Sequence, residues 1–298
     1  MVAISQASGL PQGQTVRTLQ PGEDQVSVQD AELMFRGDYS REGDDLVISL
    51  DGRSLVITEY FVSDNPPDLV AHNGAVLDAS TVNSLAGSIA PGQYAQASGG
   101  GDLIEIGTVQ TIEGVAYSTP INGIQAQLAE GDKVYQGDVI ETGDDSKLGI
   151  AFVDKTVFSV SANARMVLNE LIYDPNETEN NSMVFNLVEG SFVFLTGEVA
   201  PTGNMEMKTP GGTMGIRGTL LISNVDGSTG VEEHSIGVEF DGTTGKAILT
   251  VAGIYYLISF AGNCQYRFAG SAIEFNTNGV LFYARRSVNI ADEQGSTN

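Results

Sequence analysis

The chain has 298 residues, with 38 acidic against 14 basic side chains, a net charge of −24, no tryptophan, two histidines and one cysteine. A surface this acidic repels phosphate backbones and anionic headgroups, which excludes nucleic acid as a partner and electrostatic attachment to lipid, and leaves cations as the natural counter-ligands. Cys264 has no second cysteine to bridge to, and with only His72 and His234 to add, the usual four-ligand structural zinc site is excluded as well.

Apolar residues make up 41% of the chain and charged ones only 17%, a balance that folds rather than staying an acidic coil. With 36 glycines and 9 prolines, turns are favoured over long helices. The predicted class is all-β: a small N-terminal β-meander, then an antiparallel β-sandwich or roll, then further short strands.

In chain order, residues 1–25 are polar, hold Pro11 and Pro21, show no periodicity and read as a flexible leader without a Sec-type signal. Residues 26–66 read as a β-meander: Leu33–Phe35, Leu46–Leu50 and Leu55–Ile57 are β-rich, and Asp51-Gly52 is a hairpin turn signal because both central residues of a type I′ turn need positive φ. Pro66-Pro67 ends it, and 67–102, closing on Ser98-Gly-Gly-Gly101, reads as linker. Strands with short turns follow through 103–225, and 226–285 continues as a β extension of the same or an adjoining domain before a polar tail, 286–298. The uncharged run Ala247–Tyr266 has the length of a membrane span, but its Ile, Val and Tyr content around Ala252-Gly253 reads as buried strands, so no transmembrane span is expected.

Candidate chemistry is sparse. Gly-Asp recurs at 131, 137 and 143, which reads as tight turns around very short strands; the functional alternative gathers Asp132, Asp138, Asp144 and Asp145 around Ca²⁺, a hard cation that wants several oxygens from a bent loop. Ca²⁺ is the one cofactor considered. His72 and His234 read as surface or turn histidines and Cys264 as strand packing, and no nucleophile elbow, zincin or phosphate-loop motif occurs, so no enzyme activity is expected. Thr209-Pro-Gly-Gly-Thr-Met-Gly-Ile-Arg-Gly-Thr219 is unusual in placing four glycines and Arg217 in apolar sequence. It reads as a structural clamp that brings backbone close to a neighbouring strand, or as an anion-capturing loop around Arg217.

Several motifs in order resemble a FecR-type domain, the extracytoplasmic β-domain named from ferric-citrate signalling regulators. They are Gly107-Thr-Val-Gln-Thr-Ile-Glu-Gly114, the Gly-Asp stretch through Glu141-Thr-Gly143, Leu148–Thr156, Leu187-Val-Glu-Gly190 and, within the glycine-rich stretch, Thr209, Pro210, Gly215, Arg217, Gly218 and Thr219. The resemblance covers about residues 103–225. The regulator form adds a transmembrane helix and a cytoplasmic anti-sigma segment before the domain, and neither reads out of residues 1–102. The stretch from Phe35-Arg-Gly-Asp-Tyr to Pro66-Pro-Asp-Leu69 is similar to a module that precedes such domains in large acidic bacterial surface proteins exported by type I systems. The resemblance implies a non-enzymatic extracellular or envelope module for surface attachment or assembly, exported without an N-terminal signal, with other surface proteins or glycans as partners. A periplasmic ligand-sensing domain acting with a membrane partner is the alternative, and a glycan-binding or glycan-cleaving β-protein the second.

Overall fold

The computed structural model describes residues 13–20, 22–63, 65–87, 103–120, 124–216 and 220–237, and the backbone of five further strands between 245 and 286. The N-terminal module runs β1 (Gln14–Thr18), β2 (Gln25–Val28), α1 (Ala31–Arg36), β3 (Asp38–Glu42), β4 (Asp45–Leu50), β5 (Arg53–Thr58), β6 (Asp68–Ala71), β7 (Val76–Leu77) and α2 (Ala79–Ala86). The expected meander is present as β3–β4–β5, and Asp51 and Gly52 both take positive φ, 48° and 77°.

Three expectations for this module change. Residues 14–18 and 25–28, read as leader, are strands that pair in parallel with β5 and β6. Parallel partners lie far off in sequence, so local pattern carries no trace of them. Leu33–Phe35, read as strand, belongs to a helix, because Asp30 caps its first turn by accepting from the Leu33 N–H at 3.0 Å and Ala-Glu-Leu-Met are strong helix formers. Residues 68–87, read as linker, form β6, β7 and α2, and Leu69, Ala71, Ala75, Leu77, Val82 and Ala86 are buried in the module core with Phe35, Ile48, Ile57 and Tyr60. Ser98–Gly101 lies outside the described residues.

The second module contains β8 (Glu105–Glu113), β9 (Ala116–Thr119), β10 (Ala126–Gln127), β11 (Lys133–Tyr135), β12 (Val139–Thr142), β13 (Lys147–Phe152), β14 (Val157–Val160), β15 (Arg165–Ile172) and β16 (Ser182–Leu195). It continues with β17 (Met205–Thr209), β18 (Gly212–Ile216), β19 (Leu220–Val225), β20 (Glu232–Gly237), β21 (Gly245–Thr250), β22 (Tyr256–Phe260), β23 (Gln265–Ala269), β24 (Ala272–Thr277) and β25 (Leu281–Arg286). One ladder runs β11-β8-β13-β14-β16-β19-β20-β25-β22. The other runs β10-β9-β12-β15-β16-β17-β18-β21-β24-β23, with β16–β17 its parallel pair. Strands beyond 226 add to both ladders.

The fourteen-residue β16 belongs to both ladders: Glu189 pairs with Arg165 in the second and Gly190 with Val225 in the first. The crossing point needs glycine, since Gly190 has φ 106° and a Cβ there would stand 2.3 Å from that of Ala164. Gly114 and Gly143 sit at the corresponding corners between β8 and β9 and between β12 and β13. The core between the ladders holds Phe152, Phe158, Phe185 and Phe194, whose contacting rings have centroids 4.1 to 5.3 Å apart. Each such side chain contributes about 1.5–3 kcal/mol by leaving water, so this cluster is a principal stabilising element.

Candidate functional site

Along the second ladder the strands alternate: Ile140, Met166, Leu187 and Met207 enter the core, while Glu141, Arg165, Asn186, Val188 and Lys208 lie on the other face. The N-terminal module covers that outer face. Val188, fully buried, belongs to the core of the N-terminal module rather than to that of its own ladders.

Charge organises one side of this junction. Arg165 stands on β15 with Glu141 and Glu189 as its cross-strand neighbours. Its Nε donates to Glu141 Oε1 at 2.8 Å, and Nη1 reaches across the junction to the carbonyl of Gly37 at 2.8 Å and, more weakly, that of Phe35 at 3.4 Å. Glu189 in turn accepts from Arg36 Nε at 3.1 Å. Burial pushes the Glu189 carboxyl above its ordinary range, with Arg165 and Arg36 opposing and Glu141 adding to the rise. The side chain of Arg165 is 10% exposed, so its bonds to the Gly37 carbonyl and Glu141 are made largely out of water, where charge-assisted bonds contribute most.

The other side is a cleft of about 340 Å³ between the modules. Asp78, Thr81 and Val76 line it from the N-terminal module, and Asn186, Lys208 and Pro210 from the second. Its chemistry is fixed by a chain of obligations. An ionised Asp78 can only accept, and it does so from the Thr81 hydroxyl at 2.6 Å and the Thr81 N–H at 2.8 Å, as the N-cap of α2. The Thr81 oxygen must then accept, and Asn186 Nδ2 donates to it. Asn186 Oδ1 is left buried without a partner. Lys208 Nζ meets Asp78 Oδ2 at 3.3 Å. Burial raises the Asp78 carboxyl, but the bonds from Thr81 and Ser80 and the Lys208 ammonium outweigh it and hold the group below the usual carboxylate range.

The sequence motif from Thr209 forms one lip of this cleft. Thr209 ends β17, Pro210 and Gly211 make the turn into β18, and the Pro210 carbonyl accepts from Val76 N–H at 2.7 Å, the close approach expected of a clamp. Gly215 lies within β18, paired with Glu206. Arg217, Gly218 and Thr219 are outside the described residues, and with them the anion-capture alternative. Behind the lip, Glu232 accepts from Thr209 Oγ1 at 2.9 Å and from the Gly211 N–H, and faces His234 Nε2 at 3.1 Å; His234 Nδ1 meets Ser223 Oγ at 2.8 Å. His234 is thus not a surface histidine but 1% exposed, with Ser223 and Glu232 against its two ring nitrogens. His72 is exposed in a turn, as read, and Cys264 lies outside the described residues.

The four aspartates offered for Ca²⁺ do not converge. Asp132 accepts from Ala129 N–H and Asp138 from Tyr135 N–H, each closing its own turn, while Asp144 and Asp145 occupy the next turn, with Asp145 at φ 51°. Among the described residues no group of three or more His, Cys, Asp or Glu side chains is placed to hold a metal. Asp138 is also buried, 1% exposed, bonded by Ser118 Oγ at 2.8 Å, with its second oxygen unpartnered. No sequence signal marked Asn186, Lys208 or Arg165; for Asp78 the signal was there, an Asp directly before Ala-Ser-Thr as a helix cap.

Compared with known proteins, residues 138–236 match the family model described as FecR protein, which is 99 of the 298 residues and takes in β12 to β19, all but the last residue of β20, and the Thr209 lip of the cleft. No curated protein and no solved structure matches the chain. The chain carries a FecR-type domain over residues 138–236, in an all-β fold. Among the described residues no helix is long and apolar enough to cross a membrane.

Proposed function

We propose that this chain is a non-enzymatic module for attachment or assembly at the bacterial cell surface or in the envelope, exported by a type I route that reads no N-terminal signal. The observation that carries the reading is the junction. The module preceding the FecR-type domain is bonded to it through Arg165, through Arg36–Glu189 and through the Val76–Pro210 backbone contact, so the pair forms one stiff unit suited to transmitting load. The Ser223–His234–Glu232 chain has the order of a nucleophile relay, yet all three residues are buried to 1% exposure or less and each serves to tie β19, β20 and the β17–β18 turn together. Surface display explains the large negative charge, which keeps neighbouring copies apart.

Fractionation of the producing cell with immunodetection of the full chain tests this. Recovery on the outer surface or in the medium is the expected result, and recovery in the cytoplasm would overturn it. The inter-module cleft favours a second reading, a periplasmic sensor acting with a membrane-bound partner; recovery in the periplasm would select it.

A further inference from the structure

We propose that the outward face of the first ladder is a self-association surface, on which a second copy of this chain docks face to face. Strands β8, β13, β14, β16 and β19 lie side by side there. Their alternation sends Phe158, Phe194 and Leu221 into the core, while Val157, Leu195 and Ile222 point outward and stay 41 to 46% exposed. Register makes the outward residues neighbours: Ala151 pairs with Val157 and Val157 with Leu195, while Ser159 pairs with Val193 and Val193 with Ile222. The result is a contiguous, largely apolar patch of short side chains, the kind of surface that marks an interaction site. Between their ends, the outward positions of these strands along this ladder hold no charged side chain, in a chain with 38 acidic residues.

Charge selects the occupant. The face is bordered by three ion pairs, Lys133–Glu105 at 2.6 Å, Lys147–Glu113 at 3.1 Å and Lys155–Glu198, which take up three of the chain's five lysines. Patch and pairs together are neutral, although the molecule carries −24. A basic partner would be drawn to the acidic remainder of the surface, and an anionic one gains nothing from lysines that are already paired. A second copy fits both patch and border. A two-fold axis lays uncharged patch on uncharged patch and sets borders that each carry both signs against one another, the apolar centre and polar rim of a protein interface. Short side chains suit the roughly 10 Å spacing of packed sheets. The net charge, which keeps copies apart elsewhere on the surface, thereby confines contact to this face. Four strand spacings of about 4.8 Å by six residues of about 3.3 Å give about 400 Å² per copy, against roughly 800 Å² in a standard interface, so the dimer is weak and reversible.

The test is sedimentation velocity of the full chain from about 1 µM to about 1 mM. The expected result is a monomer–dimer equilibrium with a Kd of about 10–1,000 µM. It should tighten as NaCl rises from about 0.05 to about 0.5 M, because screening removes the net repulsion and leaves the apolar contact. Leu195→Glu and Ile222→Glu, at outward positions that leave the core untouched, are each expected to weaken dimerisation at least about thirtyfold, since a two-fold axis loses each contact twice. Val62→Glu alters a side chain 64% exposed on the N-terminal module and should leave the equilibrium unchanged. Melting curves establish that the variants are folded, and should one strand variant fail to fold, the other keeps the test sound. A chain that stays monomeric throughout, its face then left to another protein or to lipid, overturns the proposal. So does a dimer that the folded strand variants leave intact, that Val62→Glu weakens as much, or that salt dissociates.

Discussion

Asp138 occupies a turn that any reader of the sequence would place on the surface, and it is buried. Burial lifts its carboxyl above the ordinary range, while the Tyr135 N–H and the Ser118 hydroxyl pull it down and do not fully compensate. Between the unfolded value of about 3.9 and the raised folded value, the native chain holds a proton that the unfolded chain has lost, so stability falls as pH rises through that window. Asp138→Asn removes the cost: the variant should melt above the wild type at about pH 7, and the two should coincide at about pH 3, where both side chains are neutral. Calorimetry across that range checks it, and a variant equally destabilised at both ends would mean that carboxylate charge is not what the site works against. Residues of this kind explain why the chemistry was hard to read beforehand. The spacing of Gly-Asp pairs correctly announced turns, but whether a turn aspartate faces water or the interior depends on what lies over it. The same holds for His234, whose local sequence carries no sign of the cover that buries it.

The turn between β19 and β20 shows how an element can belong to one module and be shaped by another. Asp226 organises it by accepting from the N–H groups of Ser228 and Thr229 at 2.9 and 3.0 Å, and the Thr229 carbonyl accepts from Asn73 Nδ2 in the N-terminal module. Gly230, at φ 67°, lies so near Phe35 that a Cβ there would stand 2.7 Å from its ring. Gly230→Ala should therefore cost roughly 1–3 kcal/mol, from backbone strain together with overpacking of the Phe35 pocket. Denaturant unfolding should show a lower midpoint, and proteolysis should open the N-terminal module first; a midpoint unchanged from wild type would show that the turn merely rests against its neighbour. Elements built from local contacts were legible in sequence, the Asp51-Gly52 hairpin and the strand runs above all. Those defined by distant partners were not: β1 and β2 gain their identity from parallel pairing with β5 and β6, and β6 and β7 are too short to carry a pattern of their own.

For the molecule as a whole, the dominant fact is a net charge of −24 on a fold whose described residues offer no converging metal ligands. Self-repulsion at that charge weakens the compact state, and it is screened over about 10 Å in about 0.1 M salt. The melting temperature should rise with added salt, and CaCl₂ and NaCl matched for ionic strength should raise it equally. A markedly larger rise with Ca²⁺ would reveal specific coordination. The FecR-like motifs were legible at this scale because they hold corners: Gly114, Gly143 and Gly190 mark where the chain passes between ladders, and at Gly114 and Gly190 the positive φ that glycine takes readily is a property of the residue itself. The docking of the first module onto the second left no comparable trace, since its contacts join residues more than a hundred positions apart.

The placement of Val188 makes the two modules share one piece of core. The N-terminal module leaves the ribosome first, yet one wall of its interior is a side chain of β16, which follows about a hundred residues later. Until that strand is in place within its ladders, the earlier segment has an unclosed apolar core. The later-made domain therefore supplies part of the wall that closes the earlier-made core, so the first module's interior is complete only in the full chain.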